Sequence, residues 1–424
     1  MVHKVGLLPA YNYQQVPFAY NMYTRTDNVG WEQSKAFKKA FSIDVEIEFV
    51  GVWDTVNSVG LIPKRLPFVS SNTAIRYFRH AVSLDEHRAK FKANLYNRPT
   101  EEEAKLGVQP GDMPKPNNSV PTSGSIWNVE LLKDLYKKVE ATRPKNSAQE
   151  EEEQHSRLET SYDMDEKSET DVLEVWFAGC HCDVGGGSVP NDTPHNLARI
   201  PLRWMIRECF LANTGIRFHT DLLRNVGLDP ASLYPVVRPR PPEIYATAEK
   251  LEALRALEAS YKANNQHSGA SAAPMPTIST SSTSTPIPPP MHERSDSTRT
   301  LVNGEDAIDT VAAPYLGLTE EEEDLLDAVC PVYDQLELAK AWWLLEVIPL
   351  VQRHQEEDNT WVDELVINWG RPRHIPRPTA IAPFRVHRSV KMRIAAEGLV
   401  ETTSDKKSSY EPRAKLRDNP IWVD

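Results

Sequence analysis

Apolar residues come in short runs separated by long polar stretches. The clearest run is Val172–Ala178, broken only by Glu174. It is short enough for a strand buried on both faces. It stops at Gly179, and Gly185–Gly187 follow after Cys180-His181-Cys182-Asp183-Val184. Glycine takes backbone angles closed to other residues, so the chain can swing sharply there. His181 is therefore expected just past a strand end, where open α/β sheets gather ligands and catalytic groups. A second run, Ile47–Asp54, is again mostly apolar and exits on a carboxylate.

The same pattern predicts helices around these strands. Val5-Gly-Leu-Leu-Pro9 reads as a helix end, with Gly6 as the stop. Gln14–Arg25 reads as helical. Ala36, Phe37, Ala40 and Phe41 share one face of a short helix over Ser34–Phe41. Between Asn72 and Leu95 the pattern fits helix and strand equally. Trp127–Ala141 carries a helical apolar face. Asp192-Thr-Pro194 predicts a helix start with proline in the first turn, continued by Leu197, Ile200, Trp204, Met205, Cys209 and Leu211. Ala246–Ala263 reads as a helix of alternating charge. Thr319 and Glu322 have the spacing of a capping box. Leu336–Leu350 is expected as one helix, and Trp361–Ile394 as irregular strands and loops. Helix into strand into acid is the arithmetic of an α/β fold.

Between these elements the polar stretches divide the chain. The expected organisation is an α/β core over 1–220 with a polar insertion near 99–170, then a helical extension over 221–263. A disordered Ser/Thr/Pro linker over 264–308 follows, then a C-terminal helical and irregular region over 309–402 and a loose tail over 403–424.

Composition narrows the function classes. The 424 residues carry a formal net charge of −12, and an acidic balance argues against a general nucleic-acid binder. Proline, at 33, outnumbers glycine, at 18, in keeping with unstructured segments beside a real core. Four cysteines in so long a chain build no disulfide framework. The N-terminal apolar run is too short for a signal peptide, and Ala341–Val351 is too short to span a bilayer. A cytoplasmic protein with no transmembrane segment is expected.

The candidate chemistry lies at the two strand exits. A carboxylate and a histidine at the ends of separate strands, in the order Asp54 then His181, match the back half of a Ser…Asp…His arrangement. The acid fixes the imidazole tautomer and stabilises the imidazolium formed when the histidine takes a proton from the nucleophile. Structural alternatives stand beside this: a strand-end histidine at 181, and a cap or turn residue at Asp54. Asp183 reads as a turn or cap residue. Cys180-His181-Cys182 resembles a metal cluster only superficially, because neighbours along an extended chain point to opposite sides and no second cluster accompanies it. A cysteine nucleophile at Cys180 or Cys182, with His80 or His195 as base, is no better supported. Gly185–Gly187 lacks the Lys-Ser or Lys-Thr of a phosphate loop.

Several blocks resemble a known family. Gly51-Val-Trp-Asp-Thr-Val56 with Ser58-Val-Gly60, Arg79–Arg88, and Trp176-Phe-Ala-Gly-Cys-His-Cys-Asp-Val-Gly-Gly-Gly187 are similar to an uncharacterised α/β-hydrolase-type family of fungi and bacteria. That family includes phospholipase effectors of type VI secretion. Trp342–Pro349 and His387–Lys391 resemble the C-terminal part of fungal members. The resemblance implies a partial α/β-hydrolase-like parallel sheet with helical insertions and a C-terminal helical region. It implies an esterase or lipase with a serine nucleophile, Asp54 as the acid and His181 as the base, and no metal or organic cofactor. The substrate class is a lipid or other ester, with no nucleic acid. The family's serine sits in a Gly-Phe-Ser-Arg-Gly-Ala elbow whose helix runs into the Val-Gly-Leu-Leu-Pro segment, and no such elbow occurs here. Ser34 and Ser42, the serines before Asp54, lack flanking glycines, and Ser58, Ser125 and Ser188 fit no better. The expectation is an N-terminally truncated member, inactive by itself and poorly soluble because the Val45–Val52 strand leaves an unpaired edge. The competing expectation is a non-enzymatic interaction protein descended from a hydrolase.

Overall fold

The two apolar runs become strands on either side of a third from the ambiguous stretch 72–95, and their exits meet on one edge. The computed structural model describes residues 2–25, 28–56, 75–97, 170–267, 317–355, 361–376, 383–404, 406–416 and 420–424. The stretches expected as a loop over 99–126, a helix over 127–141 and an acidic insertion up to 169 lie outside these residues, as does 268–308 of the Ser/Thr/Pro-rich segment.

Strand β1 (Ile47–Trp53) pairs with β2 (Ile75–Ser83), and β2 with β3 (Asp171–Phe177), all parallel. The register sets Trp53 against Ala81 and Ser83 against Phe177, so β2 and β3 finish level and β1 stops two residues short of them. All three strands exit at the same end of the sheet.

Both faces of this sheet are covered, which explains why the run before Gly179 is apolar without alternation. Val175 and Phe177 point to one side, with Ala81, and meet Leu197, Ile200, Trp204 and Met205. Trp176 and Ala178 point to the other, with Val82 and Leu84, and meet Phe384, Val386 and Val390. The Phe177 and Trp204 rings meet edge to face at 5.5 Å. Trp204 lies on the helix Arg199–Leu211, which packs close to β1. A side chain at Gly51 would meet the Met205 sulfur at 2.5 Å.

The chain N-terminal to β1 follows the apolar pattern. Helix α1 (Val2–Val5) stops at Gly6, whose φ is +75°. Helices α2 (Val16–Thr24) and α3 (Asn28–Phe41) come next and close on α1 around Val5, Ala19, Met22 and Phe37.

Several expectations are corrected. The ambiguous stretch 72–95 is a strand over Ile75–Ser83 and then an irregular, wholly buried segment through Ala89. The helix expected to begin at Asp192-Thr-Pro194 begins instead at Arg199, because residues 190–198 run as turns tied by Thr193 N–H to the Pro190 carbonyl. The Ala246–Ala263 helix covers Ala248–His267, entering the stretch expected to be disordered. Leu336–Leu350 is not one helix. It breaks into Gln335–Leu338, a 3₁₀ turn Lys340–Trp342 and Trp343–Glu346, then enters strand β4 (Leu350–Gln355), which pairs antiparallel with β5 (Trp361–Val366). The break falls at Ala339, whose backbone leaves the helical region at φ −127° and ψ 84°, and at the end of the last turn the buried Glu346 carboxylate accepts backbone N–H groups of Ala89 and Gly370.

The larger correction concerns the C-terminal part. Strand β6 (Arg385–His387) pairs parallel with β3. It feeds a helix, Arg388–Ala395, where irregular strands and loops were expected. Val390 of that helix fills one cluster while Met392 and Ala396 fill another, so its apolar residues pack on two neighbours rather than one stripe. The tail is not loose. After a short antiparallel pair, β7 (Val400–Glu401) with β8 (Lys407–Ser408), strand β9 (Ile421–Val423) adds to β6. The sheet order is β1-β2-β3-β6-β9, so one sheet takes strands from both ends of the chain.

Candidate active site

Asp54 is the first residue past β1. Its backbone sits at φ +43°, a left-handed conformation that costs a non-glycine residue on the order of 1 kcal/mol. Two bonds across to β2 hold it there: its N–H donates to the Ala81 carbonyl at 2.8 Å, and its Oδ1 accepts the Ser83 N–H at 2.8 Å. The side chain is fully buried.

His181 opens a short helix, α4 (His181–Gly185), three residues beyond Ala178. Gly179 makes the turn possible. Its φ is +109°, and a side chain there would strike the Asp183 Cβ at 2.5 Å. Asp85 accepts the Gly179 N–H at 2.6 Å, and the Ser83 hydroxyl donates to the Gly179 carbonyl at 2.6 Å. Asp183 caps the helix from inside: it accepts the Cys180 N–H at 2.9 Å and the Tyr333 N–H at 3.0 Å. Asp183 is thus a cap, and Ser188, whose hydroxyl donates to it at 2.7 Å, is bound into that cap.

This scaffolding delivers the His181 Nδ1 to 2.7 Å from the Asp54 Oδ2. An ionised carboxylate only accepts, so Nδ1 donates and the neutral ring keeps Nε2 as an acceptor. Among the described residues no hydrogen bond reaches Nε2, and the side chain is 28% exposed. Phe91 meets the imidazole edge to face at 5.0 Å, Trp342 meets Phe91 at 5.6 Å, and the Arg88 guanidinium lies 3.5 Å from the Phe91 ring centre. The site is one buried acid, one histidine with an open nitrogen, and an aromatic wall.

Burial by itself would push the Asp54 carboxyl up. The Arg373 guanidinium, the His181 hydrogen bond and the Ser83 N–H outweigh it and hold the group well below the usual carboxylate range. Arg373 grips both carboxylate oxygens, and the pair is buried on both sides. No sequence reading pointed to Arg373. It lies 319 residues from Asp54, in a loop with no periodicity, and only its nearness to Asp54 in space marks it.

The remaining candidates fall elsewhere. His80 is fully buried and bonded on both nitrogens, to Thr55 at 3.2 Å and to Glu174 at 2.8 Å. Asp85 supports the turn before His181 and also accepts the Tyr410 hydroxyl at 2.8 Å. The whole block Arg79–Arg88 is buried. The Ser34 and Ser42 hydroxyls donate to the Gly30 and Val5 carbonyls, at 2.6 and 2.5 Å. Ser58 and Ser125 lie outside the described residues. All four thiols are free, and burial pushes Cys180 and Cys182 above the usual thiol range. His195, Glu323 and Asp327 bring ligand atoms within 4.8 Å of one another. Arg199 and Arg203 already pair with those two carboxylates, so the protein's own cations serve them.

Residues 1–208 match the family model described as type VI secretion system phospholipase effector Tle1-like, catalytic domain. The match covers 208 of the 424 residues. Asp54 and His181 both fall in the matched segment, whereas Arg373 lies beyond it. The chain is also 25% identical over 468 aligned positions to an uncharacterised protein of Saccharomyces cerevisiae, YEL023C, covering 93% of this chain. The chain spans 62% of the length of that relative. No solved structure matches.

Proposed function

We propose that Asp54 and His181 form the acid–base half of a serine acyl-transfer relay that cleaves carboxylic esters, with phospholipids as the substrate class. The observation that carries this reading is the 2.7 Å contact between Asp54 Oδ2 and His181 Nδ1, with Nε2 left open at the exit end of the parallel strands. Nε2 takes the proton from an attacking hydroxyl as that oxygen bonds to the ester carbonyl carbon. Asp54 stabilises the imidazolium so formed, and the imidazolium gives its proton to the departing alkoxide. Water then repeats the sequence and frees the acid.

The hydroxyl itself comes from outside the described residues. No Gly-x-Ser-x-Gly occurs in the 424 residues, so this chain by itself is proposed to be inactive. A lipid is favoured over a small ester by the description of the matching family and by an apolar surface near the site. Trp343, next to Trp342 of the aromatic wall, leads into exposed Leu344, Val347, Ile348 and Val351, with Leu365 paired opposite Val351. No helix among the described residues is long and apolar enough to cross a membrane, so this surface would lie on a bilayer rather than through it. Four free thiols fit a cytoplasmic location.

The test is ester and phospholipid hydrolysis by this chain and by a protein that joins it in frame to a Gly-x-Ser-x-Gly segment encoded upstream. The joined protein is expected to be about 10³-fold faster or more, and His181→Ala in it should remove that gain. Equal rates would end the proposal. The missing elbow motif favours a second reading, a non-enzymatic interaction protein. Stop codons in all upstream frames, with no hydrolysis from any form, would support it.

A further inference from the structure

Arg373 has no free donor. Its Nε donates to the Phe91 carbonyl at 3.0 Å, and Nη2 reaches the same oxygen. Nη1 donates to the Ser83 carbonyl at 3.1 Å, and the two Nη atoms also grip the two oxygens of Asp54. A guanidinium has five N–H bonds, and these contacts use all of them. The side chain is 2% exposed. Arg373 therefore has nothing left with which to bind a substrate carboxylate or phosphate. Two of its three partners bracket His181: the carboxylate bonded to Nδ1, and the backbone of the phenylalanine that packs against the ring.

We propose that Arg373 is a positioning residue for the relay, fixing the Asp54 carboxylate in the ionised, forked orientation that makes His181 carry its proton on Nδ1. This rests on the relay reading above but concerns the tautomer of the ring, which exists whether or not a nucleophile is present.

The physical argument is a choice between two arrangements. With Arg373 in place, the carboxylate is charged and accepts from Nδ1. Without it, a carboxyl with no exposure to water favours its neutral form. A neutral carboxyl donates its proton to Nδ1, and the ring's own proton then moves to Nε2. The nitrogen needed as a base would be blocked. The other charged groups near the guanidinium do not replace it. Glu86 is neutralised by Arg88, with a 2.8 Å bond between them, and burial pushes Lys92 down to about 8.

The arrangement has a consequence for how the chain is built. The acid and base lie in the first half, on β1 and α4, while the group that sets their protonation lies in the loop after β5. The relay geometry is thus complete only when the C-terminal part has docked. Asn368, Glu346 and Gly370 brace that loop: Asn368 Nδ2 donates to the His87 carbonyl at 2.7 Å, and Glu346 accepts the Gly370 N–H at 3.0 Å.

The experiment is nitrogen-15 NMR of histidine-labelled full chain at pH 7, with His181→Ala assigning the signal among the 12 histidines. The wild type should show His181 protonated on Nδ1, and that hydrogen bond should persist on acidification for as long as the protein stays folded. Arg373→Met, if it melts cooperatively, should show the proton moved to Nε2 at pH 7 and restored to Nδ1 at high pH. Arg373→Lys keeps the charge but loses the fork. It should retain the Nδ1 tautomer with at least tenfold faster exchange of that proton with water. A role confined to stability would lower the melting temperature and leave the tautomer unmoved. A folded R373M with the wild-type tautomer at pH 7 would overturn the proposal. If R373M does not fold, R373K with wild-type exchange would overturn it instead, as would loss of the Nδ1 bond in acid while the wild type remains folded. Failure of the hydrolysis test leaves these outcomes unchanged, so the two proposals can fail separately.

Discussion

Two buried clusters of charge flank the same sheet, and they differ in whether an unbonded histidine nitrogen sits on a side chain that reaches solvent. At the strand ends, Asp54 is shared between Arg373 and His181, and the imidazole keeps Nε2 free. Beside the helix Arg199–Leu211, the second cluster binds Arg203 to Asp324 and Asp327 at 2.6 and 2.7 Å and Arg240 to Asp324 at 2.8 Å. Its histidine, His195, is engaged at both nitrogens, by Asp327 at 3.2 Å and Glu258 at 3.0 Å. In both clusters an arginine holds a fully buried aspartate well below the usual carboxylate range against the opposing effect of burial. A shifted carboxyl therefore does not distinguish chemistry from architecture here. The distinction is access: His387 beside the second cluster also has an unbonded Nε2, but that residue is buried, whereas the His181 side chain is 28% exposed.

The sharpest way to break the comparison is to delete the open nitrogen. In the joined, nucleophile-bearing protein, His181→Ala should lower kcat about 10⁴-fold or more, while His195→Ala should leave it within a few-fold. Steady-state hydrolysis of a phospholipid checks both, and equal losses would place the two histidines in one class.

Next in size is the architectural cluster. Arg203→Met leaves Asp324 and Asp327 without their shared cation in the interior, at a cost of about 3–5 kcal/mol. Denaturant unfolding should register that loss while the His181 nitrogen signals stay in place. A moved His181 tautomer would mean the clusters are coupled.

Acid titration acts on both clusters with the same sign. Asp54 and Asp324 both have depressed folded-state values, so their stabilisation is complete above the unfolded carboxylate value near 3.9. It is lost only as pH falls through the lower folded values. The protein should therefore hold its stability from neutral pH to about pH 4 as far as these two groups are concerned. Asp324→Asn should flatten the acid limb of stability against pH. A wild type that loses this stabilisation well above pH 4 would contradict the arginine pairings.

The smallest expected effect on the fold comes from the apolar surface near the site. Leu344→Glu with Leu365→Glu should change stability by no more than about 0.5 kcal/mol, since each residue is 67% exposed. Sedimentation with phosphatidylcholine vesicles should nevertheless fall at least tenfold. Equal sedimentation of variant and wild type would remove this surface from the lipid reading.

Much of the site could be read locally. The apolar run into Gly179, the glycines beyond it and the acid closing Ile47–Asp54 are local signals, and local signals specify strands, turns and their exits. The C-terminal part was misread for a physical reason. Arg388–Ala395 divides its apolar residues between two clusters, so no single helical stripe announces it. Ile421–Val423 is too short to stand as a strand by itself and exists as the neighbour of β6. Leu336–Leu350 has a helical composition, but the chain leaves the helical region at Ala339, and Glu346 is bonded to the loops around Ala89 and Gly370.

By itself the sequence determined two of the strands, where they end, and that an aspartate and a histidine stand at those ends, because hydrophobic period and glycine placement act over a few residues. Only the tertiary structure decided that the two side chains meet, which nitrogen stays open, and that an arginine from the far end of the chain clasps the acid between them. Those are facts of distance across the sheet, and residues 319 positions apart leave no mark on each other's neighbourhood in the sequence.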